Sequence, residues 1–309
     1  MSKTRRPTPW LLGAMLALMI TIWSVNFIAA KIALRHVAGL PLVWLRLELA
    51  GVVMAVIYFL APGKRTKFDR RDIGLFFVLG IVGVILNQGG FTYGLKFTSV
   101  GHSAILIALS PVIVLLLARL TGLETISRRK AFGIALCFAG AMVLAAESGF
   151  GSSFGSETLL GDGITLASVI GYAVWVVTAK KIIAKYDTIT ICYFNFLTSA
   201  VCLLPFAFYA VPRVDWSHVG WAGWAGLAFM SVCSSVIGYL IYFWALRHME
   251  ASRVAATVYI EPIMAMLLAI MILGERLTAH LLIGSVLILG GVYITEREMG
   301  EAPAATELT

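Results

Sequence analysis

Charge clusters and Pro/Gly breaks cut the chain into ten apolar stretches, at 10–33, 40–61, 72–95, 99–121, 130–147, 159–181, 188–211, 219–246, 252–274 and 278–296. Most approach or exceed the roughly 20 residues a helix needs to cross a hydrocarbon core, so the sequence predicts an all-α integral membrane protein with ten transmembrane helices. Composition agrees. The 309 residues are 60% hydrophobic and only 13% charged, against about 25% charged in an ordinary soluble domain. That leaves too little polar surface for a cytosolic enzyme, a nucleic-acid binder or a secreted disulfide scaffold. The fifth and tenth stretches are short. The eighth is long enough to tilt or to include an interfacial turn, where Trp216, Trp221 and Trp224 suit a membrane–water boundary. The first stretch follows Lys3, Arg5 and Arg6 as a signal peptide would, but it is long enough to span and is followed by many similar segments.

The net charge of +8 reports topology rather than a polyanionic partner, because Lys and Arg collect in cytoplasmic loops. Placing the N-terminus inside puts 18 Lys and Arg in cytoplasmic connections against 5 on the other side, with Arg46 inside the second stretch. The expectation is a multi-pass protein of a bacterial inner (plasma) membrane with both termini cytoplasmic. The Gly/Ser-rich connection from Glu147 to Asp162 then lies outside and joins two halves.

Those halves repeat. A shift of 151 positions sets Leu95 on Leu246, Ala104 on Ala255, Pro111 on Pro262, Glu124 on Glu275, Gly133 on Gly284 and Gly140 on Gly291 without a gap. A shift of 149 sets Lys31 on Lys180, Trp23 on Tyr172, Trp44 on Tyr193 and Arg46 on Asn195. Five spans per half is an odd number, so the second half enters the membrane from the opposite side. Two inverted five-helix repeats are an architecture of secondary transporters, with the substrate site near the midplane between them.

Trp23-Ser24-Val25-Asn26-Phe27, Arg46 after Pro41, Glu261-Pro262, Gly274-Glu275-Arg276-Leu277-Thr278 and the glycines from Gly284 to Gly291 together resemble the drug/metabolite transporter superfamily in its EamA branch. The likeness covers almost the whole chain, with 1–149 as the first EamA-like repeat, 159–296 as the second and 297–309 as a cytoplasmic tail. It implies ten helices, cytoplasmic termini, a central cavity lined by helices 1 to 4 and 6 to 9, and export of amino acids, related metabolites or drugs. The chain is also similar to bacterial aromatic amino-acid exporters. One departure is that the Glu-Pro pair of the second half is Ser110-Pro111 in the first.

Several residues could carry transport. Arg46 and Glu48 lie within a span, where an ionised group costs at least roughly 2.5–3.5 kcal/mol on insertion scales, and two residues apart they point about 200° from each other. Each needs a partner or water. Arg46 is a candidate for a substrate carboxylate, with snorkelling or a structural pair as the alternative. Glu261 precedes Pro262, which kinks a helix and frees the carbonyl of Val258; it reads equally as a binding acid or an interhelical tether. Pro111 and Pro262 are candidate hinges. Trp23 and Asn26 share a helix face at i and i+3, as do Tyr172 and Trp175 in the symmetric helix, and aromatic faces with a few polar groups suit a small amphipathic ligand. Tyr93, Tyr239, His102 and Asn195 complete the candidate substrate-binding set, while Tyr242, Trp244, Tyr259, Asn87 and Gln88 could extend it. Gly133, Cys137, Gly140 and Ala141, echoed by Gly284 and Gly291, form a small-residue stripe for close helix packing. Glu124 and Glu275 sit past helix ends, where turn or capping duty is expected.

No HExxH or phosphate loop is present and the four cysteines lack metal spacing, so no enzyme activity, cofactor or metal is expected. The sequence thus points to a secondary carrier that exports small metabolites, most readily amino acids and among them aromatic ones, by alternating access. The alternatives are a multidrug or other-metabolite exporter and, outside transport, a receptor. Its partners would be a small-molecule substrate and the lipid bilayer, without nucleic acid, as a monomer or a homodimer.

Overall fold

A computed structural model describes residues 8–63, 65–120, 126–149, 156–248 and 260–299. Among them ten long helices follow one another: α1 (Pro9–Ala33), α2 (Gly39–Leu60), α3 (Arg70–Gly94), α4 (Val100–Ile107 and Ser110–Leu120), α5 (Arg128–Gly149), α6 (Ser156–Ile183), α7 (Thr188–Arg213), α8 (Trp221–His248), α9 (Ile260–Leu273) and α10 (Ala279–Met299). Seven of them, α1 to α4 and α6 to α8, are long and apolar enough to cross a bilayer by themselves. Glu124, Val258 and Tyr259 lie outside the described residues.

Local chemistry sets several helix starts. Thr8 accepts the Leu11 N–H at 3.3 Å with Pro9 in the first turn, Ser99 accepts the His102 N–H at 3.0 Å, and Asp187 accepts that of Thr190 at 3.0 Å. Each oxygen satisfies a backbone donor that the first helical turn leaves free. α4 is not continuous, because the chain makes a turn at Ala108 and Leu109. Pro111 is therefore the second residue of a new helical piece, where its missing N–H costs nothing, rather than a kink inside one long helix. Pro262 is the third residue described in α9.

The packing obeys a pseudo-twofold that exchanges the repeats. α2 lies on α7, α4 on α9 and α5 on α10, while the α3–α6 contact is mirrored by α8–α1 and the α3–α7 contact by α8–α2. The related helices α3 and α8 share a further feature: each widens into a π-type stretch, Leu79–Gly89 and Phe229–Gly238. Such stretches shift the side-chain register by a fraction of a turn and recur beside functional sites.

The small-residue stripe is consumed inside the molecule. A Cβ on Gly133 would sit 2.6 Å from the Gly291 carbonyl oxygen, and one on Gly140 2.8 Å from that of Gly284. The α5 and α10 backbones thus touch through their glycines, a contact that lipid-solvated helices gain by close van der Waals approach. Gly140→Val is expected to lower the thermal midpoint of the purified protein, at a cost of about 1–3 kcal/mol from overpacking. Gly290→Ala, whose added methyl would lie 3.8 Å from the nearest side chain, Leu136, should leave the midpoint unchanged or slightly raised. Equal effects from both variants would remove the glycine contact as the reason for this packing.

On the side of the α2–α3 connection, Lys185 bonds Asp69 at 2.9 Å and Asp72 at 2.6 Å, and the Thr66 N–H donates to Asp187 at 2.8 Å. This clasp ties the α2–α3 connection to the α6–α7 connection. The Arg71 backbone N–H, followed by Lys185, holds the Asp69 carboxyl below its ordinary range, and the bond to Asp72 raises Lys185 above its own. The Asp69 contribution is present at neutral pH and is lost as pH falls through that lowered range.

Candidate functional site

Where the two repeats meet, seven helices enclose a cavity of about 650 Å³, its open part included, lined by Trp23, Asn26 and Phe27 of α1, Arg46 of α2, Asn87, Gln88 and Phe91 of α3, Ile107 and Ser110 of α4, Val169 and Tyr172 of α6, Ser234 and Tyr239 of α8, and Glu261 of α9. Symmetry-related positions share the lining: Trp23 and Tyr172 both line it, as do Ser110 and Glu261. The pseudo-twofold therefore passes close to the cavity.

Arg46 is 2% exposed and its fork is held by hydroxyls. The Nη1 group donates to Thr92 Oγ1 at 2.8 Å, Nε to Ser235 Oγ at 3.2 Å and Nη2 to Ser234 Oγ at 3.5 Å. Ser235 in turn donates to Gln88 Oε1 at 2.6 Å. Hydroxyls orient the guanidinium but do not neutralise it, and no carboxylate pairs with it among the described residues. Glu261 presents the opposite situation: 7% exposed and on the same cavity wall, it has no hydrogen-bond donor or cation on its carboxylate among the described residues. A buried charge without a counter-charge is costly, so an oppositely charged group in the cavity would stabilise the ionised form of each. Asn26 Oδ1 and Gln88 Nε2 are also buried without partners among the described residues.

Aromatic rings make much of the rest of the wall. The Trp23 indole N–H donates to the Ser234 carbonyl at 3.3 Å, and its ring packs edge-on against Tyr239 at 5.7 Å between centroids. Tyr239 donates to Asn87 Oδ1 at 3.2 Å, and Asn87 donates to the Ser168 carbonyl at 3.1 Å. The Tyr172 and Tyr242 hydroxyls meet at 3.2 Å.

Of the residues singled out in the sequence, Trp23, Asn26, Arg46, Tyr172, Tyr239 and Glu261 come together on this wall, and Tyr93, His102, Trp175 and Asn195 do not. Trp175 is 1% exposed and sits behind the wall, between Tyr239 and Phe243, in space left by Gly83. His102 Nδ1 bonds Asp162 Oδ2 at 2.9 Å between α4 and α6. Tyr93 packs on Phe97 and over Gly39 at one end of the bundle. Asn195 is buried within α7, which contributes no lining residue. Glu48 is likewise off the wall. Sequence reasoning did not find the cradle of Thr92, Ser234 and Ser235, although the hydroxyl-rich run Ser231 to Ser235 inside a span was a usable signal.

The two tryptophans should therefore respond differently. Trp23→Ala should slow transport about tenfold, the scale of 1.4 kcal/mol for a lost ring contact, with little loss of folded protein. Trp175→Ala should chiefly destabilise, by about 3–5 kcal/mol as a core cavity. Transport rates in proteoliposomes, normalised to folded protein, separate the two; a Trp23→Ala variant with normal transport would place the pathway elsewhere.

The profile of the EamA-like transporter family matches residues 9–146 and 159–297. An uncharacterized transporter of Archaeoglobus fulgidus is 30% identical, over 91% of this chain and 96% of that one. A probable amino-acid metabolite efflux pump of Salmonella typhimurium is 26% identical, over 91% and 93%. A crystal structure at 17% identity superposes with a TM-score of 0.62 over 96% of this chain and 100% of the other, and so shares the fold. Two five-helix repeats around a central cavity, matched along both halves by one family, make this chain a multi-pass membrane transporter of small molecules, not an enzyme, and a member of the EamA-like transporter family.

Proposed function

We propose that the protein exports amino acids, with a preference for bulky and aromatic side chains, across a bacterial inner membrane by alternating access. The observation that carries this reading is Arg46, held by three hydroxyls and without a carboxylate partner among the described residues, on the wall of a cavity that also presents Glu261, likewise without a partner among them. A zwitterion supplies a carboxylate to the first and an ammonium to the second, while Trp23, Phe27, Phe91, Tyr172 and Tyr239 receive an apolar side chain. The relative in Salmonella typhimurium, named for amino-acid metabolites, supports the same substrate class. The partners are thus a small solute and the bilayer, without nucleic acid, for a monomer or a homodimer.

Counterflow in proteoliposomes tests the reading. Labelled phenylalanine, tryptophan and leucine should exchange, while phenylpropionate, which lacks the ammonium, and phenethylamine, which lacks the carboxylate, should compete poorly. Good competition by phenethylamine and other amphipathic amines, with none by amino acids, would replace this reading by a multidrug exporter.

Orientation rests on the 18 to 5 asymmetry of Lys and Arg. Single-cysteine labelling should find Lys67, Arg129 and Glu301 on the cytoplasmic side and Ser153 outside. Labelling of Ser153 and Arg129 from the same side would overturn the topology. Ser153 and Glu301 lie outside the described residues.

A further inference from the structure

We infer that the first piece of α4, Val100–Ile107, is the gate at the end of the transporter away from its termini, and that Glu275 and Asp162 are the latches that hold it shut. This rests on the alternating-access reading above.

The argument starts from the break in α4. The turn at Ala108 and Leu109 separates two helical pieces, and the residues flanking it, Ile107 and Ser110, both line the cavity. A helix interrupted there can swing its first piece without moving the second. That piece is buried from Val100 to Leu106, so it seals the cavity on its own side.

The holds on this piece come from other elements. Both carboxylate oxygens of Glu275 accept backbone N–H groups of the first turn, Val100 at 2.8 Å and Gly101 at 3.0 Å. Those donors have no partner within α4, and a carboxylate at a helix start is favoured by the dipole as well. Glu275 reaches them because Gly274 ends α9 in the left-handed conformation, with φ +69°, and the Glu275 N–H returns to the Ala269 carbonyl at 3.3 Å. Any side chain at Gly274 would strain that turn. From α1, the Lys31 ammonium donates to the Leu95 carbonyl at 2.8 Å and to the Thr98 carbonyl at 2.5 Å, which fixes the α3–α4 turn. From α6, Asp162 accepts from Thr98 Oγ1 at 2.5 Å. Glu275 and Asp162 belong to the second repeat and the gate to the first, so these bonds must break whenever the repeats part at this end. A cap internal to one repeat would have no such coupling.

Side-specific labelling tests the latch. In a full-length background with the four cysteines replaced, Val169→Cys reports on the cavity through its reaction with a membrane-impermeant maleimide, in right-side-out and inverted vesicles. Glu275→Gln and Thr98→Val, which removes the bond to Asp162, are each expected to raise the labelling rate threefold or more from the Glu275 side and to lower it from the side of the termini. Thr98→Ser, which still donates to Asp162, should restore the wild-type ratio. Unchanged ratios, or rates that rise together on both sides as in a merely loosened protein, overturn the latch; should Glu275→Gln fail to fold, Thr98→Val decides alone. Addition of L-tryptophan should shift the wild-type ratio. Labelling confined to one side whatever is added would overturn alternating access itself, and the gate with it.

Discussion

Arg46→Ala is expected to reduce amino-acid counterflow by about 100-fold or more, because removing one partner of a buried, hydrogen-bonded charge pair costs 2–5 kcal/mol or above. On the proposed reading the pair is formed with the incoming carboxylate, because among the described residues only hydroxyls hydrogen-bond the guanidinium. Two effects on the empty protein oppose each other. Losing Arg46 removes a hydrogen-bond donor from Thr92, Ser234 and Ser235, at about 1–3 kcal/mol for a buried group left unsatisfied, yet it also removes a buried charge with no counter-ion among the described residues. Thr92 and Ser235 keep other bonds, to the Gln88 carbonyl and to Gln88 Oε1, so the fold should survive. Arg46→Lys should retain part of the activity, because an ammonium keeps the charge but not the planar two-point geometry. The measurement is exchange of labelled phenylalanine at matched amounts of folded protein. Wild-type exchange by Arg46→Ala would end the carboxylate assignment, and Arg46 would then be a structural cation within a hydroxyl cradle.

The span count and the repeat register could be read from the sequence because both rest on length and spacing. Ten stretches near the bilayer length, joined by connections rich in Lys and Arg on one side, leave few ways to thread a chain. The glycine stripe was legible for a similar reason: Gly133 and Gly140 recur 151 residues later, and in the structure they touch those very repeats. Orientation about each helix axis was the harder problem. In water an apolar stripe tells which face is buried, but in a bilayer lipid and interior are equally apolar. Trp23 and Trp175 looked equivalent on that basis, yet one lines the cavity and the other fills the space behind it. His102 read as a candidate for the substrate-binding set; that it instead meets Asp162, sixty residues on, depended on how α4 packs against α6. The π-type stretches of α3 and α8 shift Asn87, Gln88 and Ser234 off the ideal helical period, so a regular wheel misplaces them. The Arg46 cradle draws on α3 and α8 at once and is a property of the tertiary fold alone.

Glu261→Gln is the second large effect, and it separates two roles for a buried carboxylate with no partner among the described residues. As the counter-charge of the substrate ammonium, Glu261 is needed in every cycle. The amide keeps the shape and the Pro262 geometry but not the charge, so counterflow of phenylalanine should fall by about 100-fold, on the same scale of 2–5 kcal/mol, with or without a pH gradient. Discrimination against phenylpropionate should collapse, since that ligand lacks only the group Glu261 receives. As a proton carrier, Glu261 is needed only for the coupled step. Transport driven by a pH gradient would then be lost while counterflow, which needs no net proton movement, continued. The cavity favours the first role: Arg46 and Glu261 both line it among aromatic rings, and a zwitterion would offer a group of opposite charge to each. Wild-type transport that runs downhill at one rate with and without a proton gradient would agree with it. Gradient-dependent transport in the wild type, with counterflow intact in Glu261→Gln, would instead make this carboxylate the coupling group.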